Sequence, residues 1–270
     1  MKKVTLIIIL ILLSILSACE KEVVLDLETA QTRLVINAPI KWEKGTNGNH
    51  QKIKLSLTAG YYEPSLPVVT GATVEIQAGS GEIFQFTEQT IPGTYECFNF
   101  IPVQNETYTL KVIHDNQVYI GKDTLFPVTN FNFTTQSETG GINGDDYEVK
   151  AFFTDPEGIQ NYYLTEQKIP GYTVPNYYSF NDKFFDGNQV FDTATDENLK
   201  VGDIITFTVY GVSEDHHEYC VKILNTIVGG PFQTIPGKIK GNMVNTTQMN
   251  NYPLGYFSTS QTTTITHIIQ

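Results

Sequence analysis

The chain has 270 residues, enough for one large or two ordinary domains. With 17 basic against 29 acidic residues its formal net charge is −12, which makes it a poor candidate for binding nucleic acid or adhering to anionic lipid by charge. Its 15 Tyr and 16 Phe are residues that strands favour.

The chain opens on the positive Met1-Lys2-Lys3, followed by an apolar run from Val4 to Leu16 broken only by Thr5 and Ser14. That order predicts a secretory signal over residues 1–18. The run has 13 residues, whereas a spanning helix needs roughly 20. Leu16-Ser17-Ala18-Cys19 resembles the lipobox of bacterial lipoproteins. The resemblance implies acylation of the Cys19 thiol by diacylglyceryl and palmitate-type chains, and anchorage in a lipid bilayer. The alternative is an ordinary cleaved signal with an incidental cysteine. The signal holds two of the 17 basic residues and no acidic one, so the remainder carries 15 against 29, a net −14. Residues 19–31 are expected to be the lipidated cysteine and a charged tether.

From Arg33 the pattern becomes period-two. Ile53, Leu55 and Leu57 alternate with polar residues, as do Ala72, Val74 and Ile76, and Tyr108, Leu110 and Val112. Such alternation places one face in a core and one in water. Turn signals at Gly60, Gly71, Gly79-Ser80-Gly81, Pro92-Gly93 and Asp115-Asn116 separate about seven short strands, the spacing of a sandwich. A second β-rich region is expected from Val128, with strands over Tyr147–Phe153, Tyr162–Gln167 and Ile205–Val209. Gly171–Asp196 reads as a long loop with short strands. One helix is expected over about 214–228. Ser213 caps it, Glu214 and Asp215 meet the positive end of its dipole, and Gly229-Gly230-Pro231 stops it. Strands near Lys238–Val244 and Leu254–Ile269 close the chain.

Several segments fit one pattern in order: Arg33-Leu34-Val35-Ile36, Gly71-Ala72-Thr73-Val74, Gly93-Thr94-Tyr95, Thr107-Tyr108-Thr109-Leu110, Asp155-Pro156-Glu157-Gly158 before Asn161-Tyr162-Tyr163, Phe184-Phe185-Asp186-Gly187, Gly202-Asp203 and Leu254-Gly255-Tyr256-Phe257. Together with the lipobox and tether they resemble the lipoprotein family of Bacteroidota catalogued as domain of unknown function 4249. The resemblance implies an outer-membrane lipoprotein, often encoded beside a TonB-dependent receptor, and it supplies no catalytic residues. Glu20 and Glu22 around Lys21 resemble signals that send such lipoproteins to the cell surface; the alternative is a solvated linker. The expected fold is mainly β, with an N-terminal immunoglobulin/transthyretin-like β-sandwich over 32–127 and a β-rich domain with one helix over 128–270.

Candidate chemistry is sparse. Glu214-Asp215-His216-His217-Glu218 is the densest titratable cluster, but adjacent histidines point about 100° apart on a helix, so a capped, solvated first turn is expected rather than a metal site. Acidic turns at Gly144-Asp145-Asp146 and at Asp192, Asp196 and Glu197 lack the EF-hand spacing. Nucleophile-elbow, Walker and dinucleotide motifs are absent, so neither an enzyme nor a cofactor is expected. Cys97 and Cys220 either pair or stay as two buried thiols. Tyr172, Tyr177, Tyr178, Phe180, Phe184 and Phe185 crowd into fourteen residues. They offer faces for a sugar or a protein partner if exposed, or core if folded under the second sheet. Asp123-Thr124-Leu125 and Asp192-Thr193-Ala194 resemble a short O-glycosylation sequon, which would place glycans on Thr124 and Thr193.

Overall fold

The computed structural model describes residues 31–60, 62–63, 65–141, 144–227 and 239–270. Cys19, residues 20–30 of the tether and the Gly229-Gly230-Pro231 stop lie outside the described residues. Thr32–Gln270 is one compact unit.

Seven strands build the first sandwich: β1 (Leu34–Glu43), β2 (Gln51–Leu57), β3 (Thr73–Ala78), β4 (Ile83–Glu88), β5 (Thr94–Cys97), β6 (Thr107–His114) and β7 (Gln117–Thr124). The pleat sorts their residues. On β1, Leu34, Ile36, Ala38 and Ile40 are buried while Asn37 and Lys41 face out. The order β1-β2-β5 faces β4-β3-β6-β7, and β4 joins the two layers. Its Ile83–Phe86 stretch pairs with β3 and its Thr87–Glu88 end with β5. This is the arrangement of an immunoglobulin-like sandwich. Two details follow it closely. Asp115 and Asn116 both take positive φ (48° and 57°), as a two-residue hairpin between β6 and β7 requires. Near the start of β6 the Tyr108 hydroxyl donates to Ile101 O (3.1 Å) and accepts from Val103 N (2.8 Å), a tyrosine corner tying the β5–β6 crossover to the core.

The remaining elements are β8 (Phe131–Gly140), β9 (Asp146–Thr154), β10 (Tyr162–Lys168), β11 (Asn176–Asn181), β12 (Gln189–Asp196), β13 (Ile204–Gly211), α1 (Glu214–Ile227), β14 (Val244–Asn245) and β15 (Leu254–Ile268). Strands β12-β9-β8 form a separate sheet, and β11-β10-β13-β15 extends the first, giving twelve strands in all. The two layers bury Val149, Ala151, Ile205 and Phe207 in one cluster and Val128, Phe153, Tyr163 and Val209 in another.

Strand β15 belongs to both halves. Leu254–Thr262 runs parallel to β1, and Thr262–Ile268 runs antiparallel to β13. Residues 128–270 therefore do not close on themselves: β14 and the first half of β15 complete the first sandwich. Gly255 permits the close approach. It takes φ +88°, and a Cβ there would stand 2.1 Å from Ile36 O. Between the halves Ser258–Thr263 is buried without an apolar residue. Gln261 explains part of this, since its Oε1 accepts from Gln104 Nε2 and Val128 N, fastening the connection out of the first sandwich.

Two segments depart from expectation. Gly171–Asp196 contains two full strands, β11 and β12, joined by a turn. The stretch near Lys238–Val244 contributes only the two-residue β14, and Lys238 lies outside the described residues. There Asn242 replaces a ladder with its side chain, giving Nδ2 to Lys122 O and Phe257 O and taking Phe257 N on Oδ1.

Candidate functional site

Helix α1 is built as its sequence predicts. Ser213 O accepts the first helical bond from His217 N, and Ser213 Oγ accepts from His216 N at 3.2 Å. Its first turn is solvated on one side only: Glu214, Asp215 and Glu218 are exposed, and the histidines turn inward. His216 is only 8% exposed, stacked on Tyr256 at 4.8 Å between ring centroids, with Tyr219 against the same ring at 4.5 Å. His217 is half-buried, and its Nδ1 meets Ser179 Oγ at 2.7 Å. The helix lies against β10 and β11, so its N-terminal histidines face the sheet.

Beneath α1 a cleft of about 380 Å³ opens over the outer face of β1 and β15. Asn37, Pro39 and Lys41 of β1 and Tyr256, Ser258 and Ser260 of β15 form its floor, paired across the two strands. His216, Tyr219, Tyr177 and Tyr210 wall it. At its edge Glu166 is buried and holds four partners. Tyr210 (2.5 Å) and Tyr177 (3.1 Å) donate hydroxyls to it, while the ammonium groups of Lys168 and Lys41 stand at 3.1 and 3.8 Å. Burial alone would raise Glu166; the Tyr210 hydroxyl and the two lysines outweigh it and hold its carboxyl below the usual range. Burial pushes the Lys41 ammonium down, against the pull of Glu166. Burial, then the Glu166 charge, pushes the Tyr177 hydroxyl up to about 12. Burial also brings His216 down to about 4, so its imidazole is neutral near pH 7. No local motif announces this cluster, because residues 41, 166, 177, 210 and 216 come from five separate elements.

The structure divides the aromatic segment. Phe180 and Phe185 pack on Tyr163 and Phe153 as core. Tyr177 faces the cleft. Tyr172, Tyr178 and Phe184 are 56%, 50% and 90% exposed, and Tyr172 donates its hydroxyl to Asp196. The six rings thus form no single platform.

Convergent carboxylates occur at positions other than the acidic turns named above. Asp155, Asp182 and Asp186 each bring one oxygen within 4.8 Å of the others, and the first two are buried. Tyr163 and Gly187 N donate to Asp155, Asn161 N to Asp182 and Gly158 N to Asp186, so the cluster pins the turn after β9 to the turn before β12. Burial, and then the neighbouring carboxylates, raise Asp155. Its donors are hard oxygens of the kind calcium or magnesium take.

Both sequon aspartates are structural. Asp123 is buried and accepts from Thr259 N at 2.7 Å, and Asp192 accepts from Gln167 Nε2 at 2.6 Å. Thr124 Oγ1 bonds Thr107 Oγ1, and Thr193 is exposed on β12. Cys97 and Cys220 are free thiols, and burial pushes Cys220 up to about 12. No helix among the described residues is long and apolar enough to cross a membrane.

Comparison with known proteins adds little chemistry. None of the curated proteins matches the chain. Among solved structures, a two-domain fibronectin type III segment of chicken tenascin is 12% identical, covering 68% of this chain and 92% of that one at a TM-score of 0.22. A DUF4785 family protein from Legionella pneumophila is 8% identical, covering 66% of this chain and 52% of its own, at 0.26. Likenesses this distant carry no argument, and the fold stands on its own strand order. The family comparison is decisive: the model for the domain of unknown function DUF4249 matches residues 20–266, nearly the whole chain, and the chain belongs to that family.

Proposed function

We propose that this protein is an outer-membrane lipoprotein of the bacterial envelope, anchored through acylated Cys19. In this reading it works without catalysis, as an accessory or scaffold beside a TonB-dependent uptake receptor. The observation that carries the reading is the order of the first nineteen residues: positive start, short apolar run, then Leu16-Ser17-Ala18-Cys19. A compact β body behind an acidic tether is consistent with a docking module. The test is metabolic labelling with an alkyne fatty acid. Wild type should take up label and fractionate with membranes, and Cys19→Ala should do neither. Gentle detergent extraction should then recover a membrane receptor with the wild-type chain; recovery of a clean monomer would sink the scaffold role.

Two other readings have an observation each. Exposed Tyr172, Tyr178 and Phe184 favour a glycan-binding surface on the 172–185 segment. Glycan-array binding lost in Tyr178→Ala would support it. The Ser179–His217 contact favours a hydrolase. Against it, Ser179 Oγ also lies 3.0 Å from Tyr163 O, which competes for its single proton. Labelling of Ser179 by a fluorophosphonate would establish the enzyme and overturn the scaffold.

A further inference from the structure

We propose that the cleft between α1 and the β1–β15 surface binds a small organic anion, a carboxylate carried on a ring that can pack against aromatic side chains. The charge for it is Lys41. Its ammonium donates to Tyr210 Oη at 2.9 Å and stands 3.8 Å from Glu166. Glu166 is also held by two tyrosine hydroxyls and by Lys168, so two ammonium groups stand against one carboxylate and the cluster keeps a net positive charge. A second hollow of about 410 Å³ shares Asn37, Pro39 and Lys41 with the cleft and adds Lys52 and Lys54. Lys52 and His50 share Glu96, whereas Lys54 has no ion pair among the described residues. Cations are thus gathered along one groove of a chain whose net charge is −12, which focuses an attractive field for anions there.

The ring is asked for by the walls. Tyr177, Tyr210, Tyr219, Tyr256 and His216 line the cleft with aromatic surface. His216 adds an independent sign of a missing partner. It is more than nine-tenths buried and lines the cleft, yet its Nδ1 has no hydrogen-bond partner among the described residues. Among the described residues six buried side-chain polar atoms stand so, and two of them, His216 Nδ1 and Tyr256 Oη, belong to residues that line this cleft, where a bound polar group would complete them. The volume, about 380 Å³, lies within the range of small-molecule sites, roughly 300–1,000 Å³.

An aromatic acid and an acidic sugar share this chemistry, and calorimetric titration separates them. The full chain in detergent is titrated with 4-hydroxybenzoate and with digalacturonate, each beside its methyl ester. One acid should saturate, at least about tenfold tighter than its ester, the worth of one charge-assisted hydrogen bond. Lys41→Met should lose about the same factor and Lys41→Arg should keep most of the affinity. Lys111→Met, far from the groove in a pair with Glu75, should change nothing. In a histidine-labelled nitrogen spectrum the His216 resonances, identified by their loss in His216→Phe, should move on saturation. The inference is overturned if neither acid saturates, if acid and ester bind alike, or if Lys41→Met binds as wild type. None of these outcomes depends on the anchor or on a receptor.

Discussion

The two halves of the molecule solve the burial problem differently. In the first sandwich nearly every inward position is aliphatic or aromatic, and Ile36, Ile53, Ile76, Leu110 and Val112 are all but fully buried from alternating strands. The second half has smaller apolar clusters and relies on buried polar contacts: Glu166 among tyrosines and lysines, Asp155 under Tyr163, and Asp192 against Gln167. An apolar core holds strands without choosing precise partners, whereas a polar one is stable only where each group meets its complement. The second half is consequently the part whose geometry is most exacting, and the cleft sits at its margin.

That contrast is testable first through the shared strand. Phe207→Ala opens a cavity in the second half and should cost about 3–5 kcal/mol. Trp42, the single tryptophan, packs against the first core. If β15 couples the halves, Trp42 fluorescence and far-ultraviolet circular dichroism should shift together in denaturant. A Trp42 transition left at the wild-type midpoint would show that the halves unfold separately. Gly255→Ala attacks the coupling itself, since its Cβ would strike Ile36 O in a positive-φ conformation. A loss of roughly 3 kcal/mol is expected, read by the same denaturation. A loss below that of an ordinary surface change would mean that β1 and β15 can separate without cost.

The same contrast decides what the sequence discloses. Alternation in Ile53–Leu57 or Tyr108–Val112 is a direct image of a two-faced strand, and the Ser213 cap with Glu214 and Asp215 is a direct image of a helix start. Strands β11 and β12 are hidden because their residues, Asn176-Tyr177-Tyr178-Ser179 and Asp192-Thr193-Ala194-Thr195, carry polar and turn-forming types on the buried side as well as the open one. Ser258–Thr263 shows no alternation because both of its faces are covered. Glu166 reads as a solvated charge, since the groups that bury it stand 125 residues before it and up to 44 after it. The direction in which His216 points depends on the sheet under α1, which no helical period specifies.

Acid titration separates two buried groups on either side of α1's first turn. Burial brings His216 down to about 4 from 6.5, helped by the charges of His217 and Lys41. Its neutral form stabilises the fold above pH 6.5, and that contribution is lost as pH falls toward 4. Burial raises Asp123 from 3.8 to about 6, with Asp215 adding to it and the Ser213 hydroxyl and Thr259 N opposing it. Its contribution has the reverse sign: stability is gained as pH falls from 6 toward 3.8. Each is on the order of 3 kcal/mol, so the two nearly offset in wild type. Relative to wild type, Asp123→Asn should lose stability from pH 6.5 to 4, and His216→Phe should gain it. Parallel curves for all three proteins would show that neither group is buried in its folded state.

The smallest effects compare two buried tyrosines, one in each half. Tyr163→Phe removes the donor to Asp155 Oδ1, a buried carboxylate beside two others. It should cost about 1.5–3 kcal/mol near neutral pH. The penalty should shrink as pH falls through the raised Asp155 pKa, because a protonated carboxyl no longer needs the donor. Tyr108→Phe removes a hydroxyl that serves only backbone, Ile101 O and Val103 N. Its cost, about 1–1.5 kcal/mol, should be flat with pH, since neither partner titrates. Equal and pH-independent losses would place the polar contacts of the second half on the same footing as those of the first, and the distinction between an apolar half and an exacting polar half would fail.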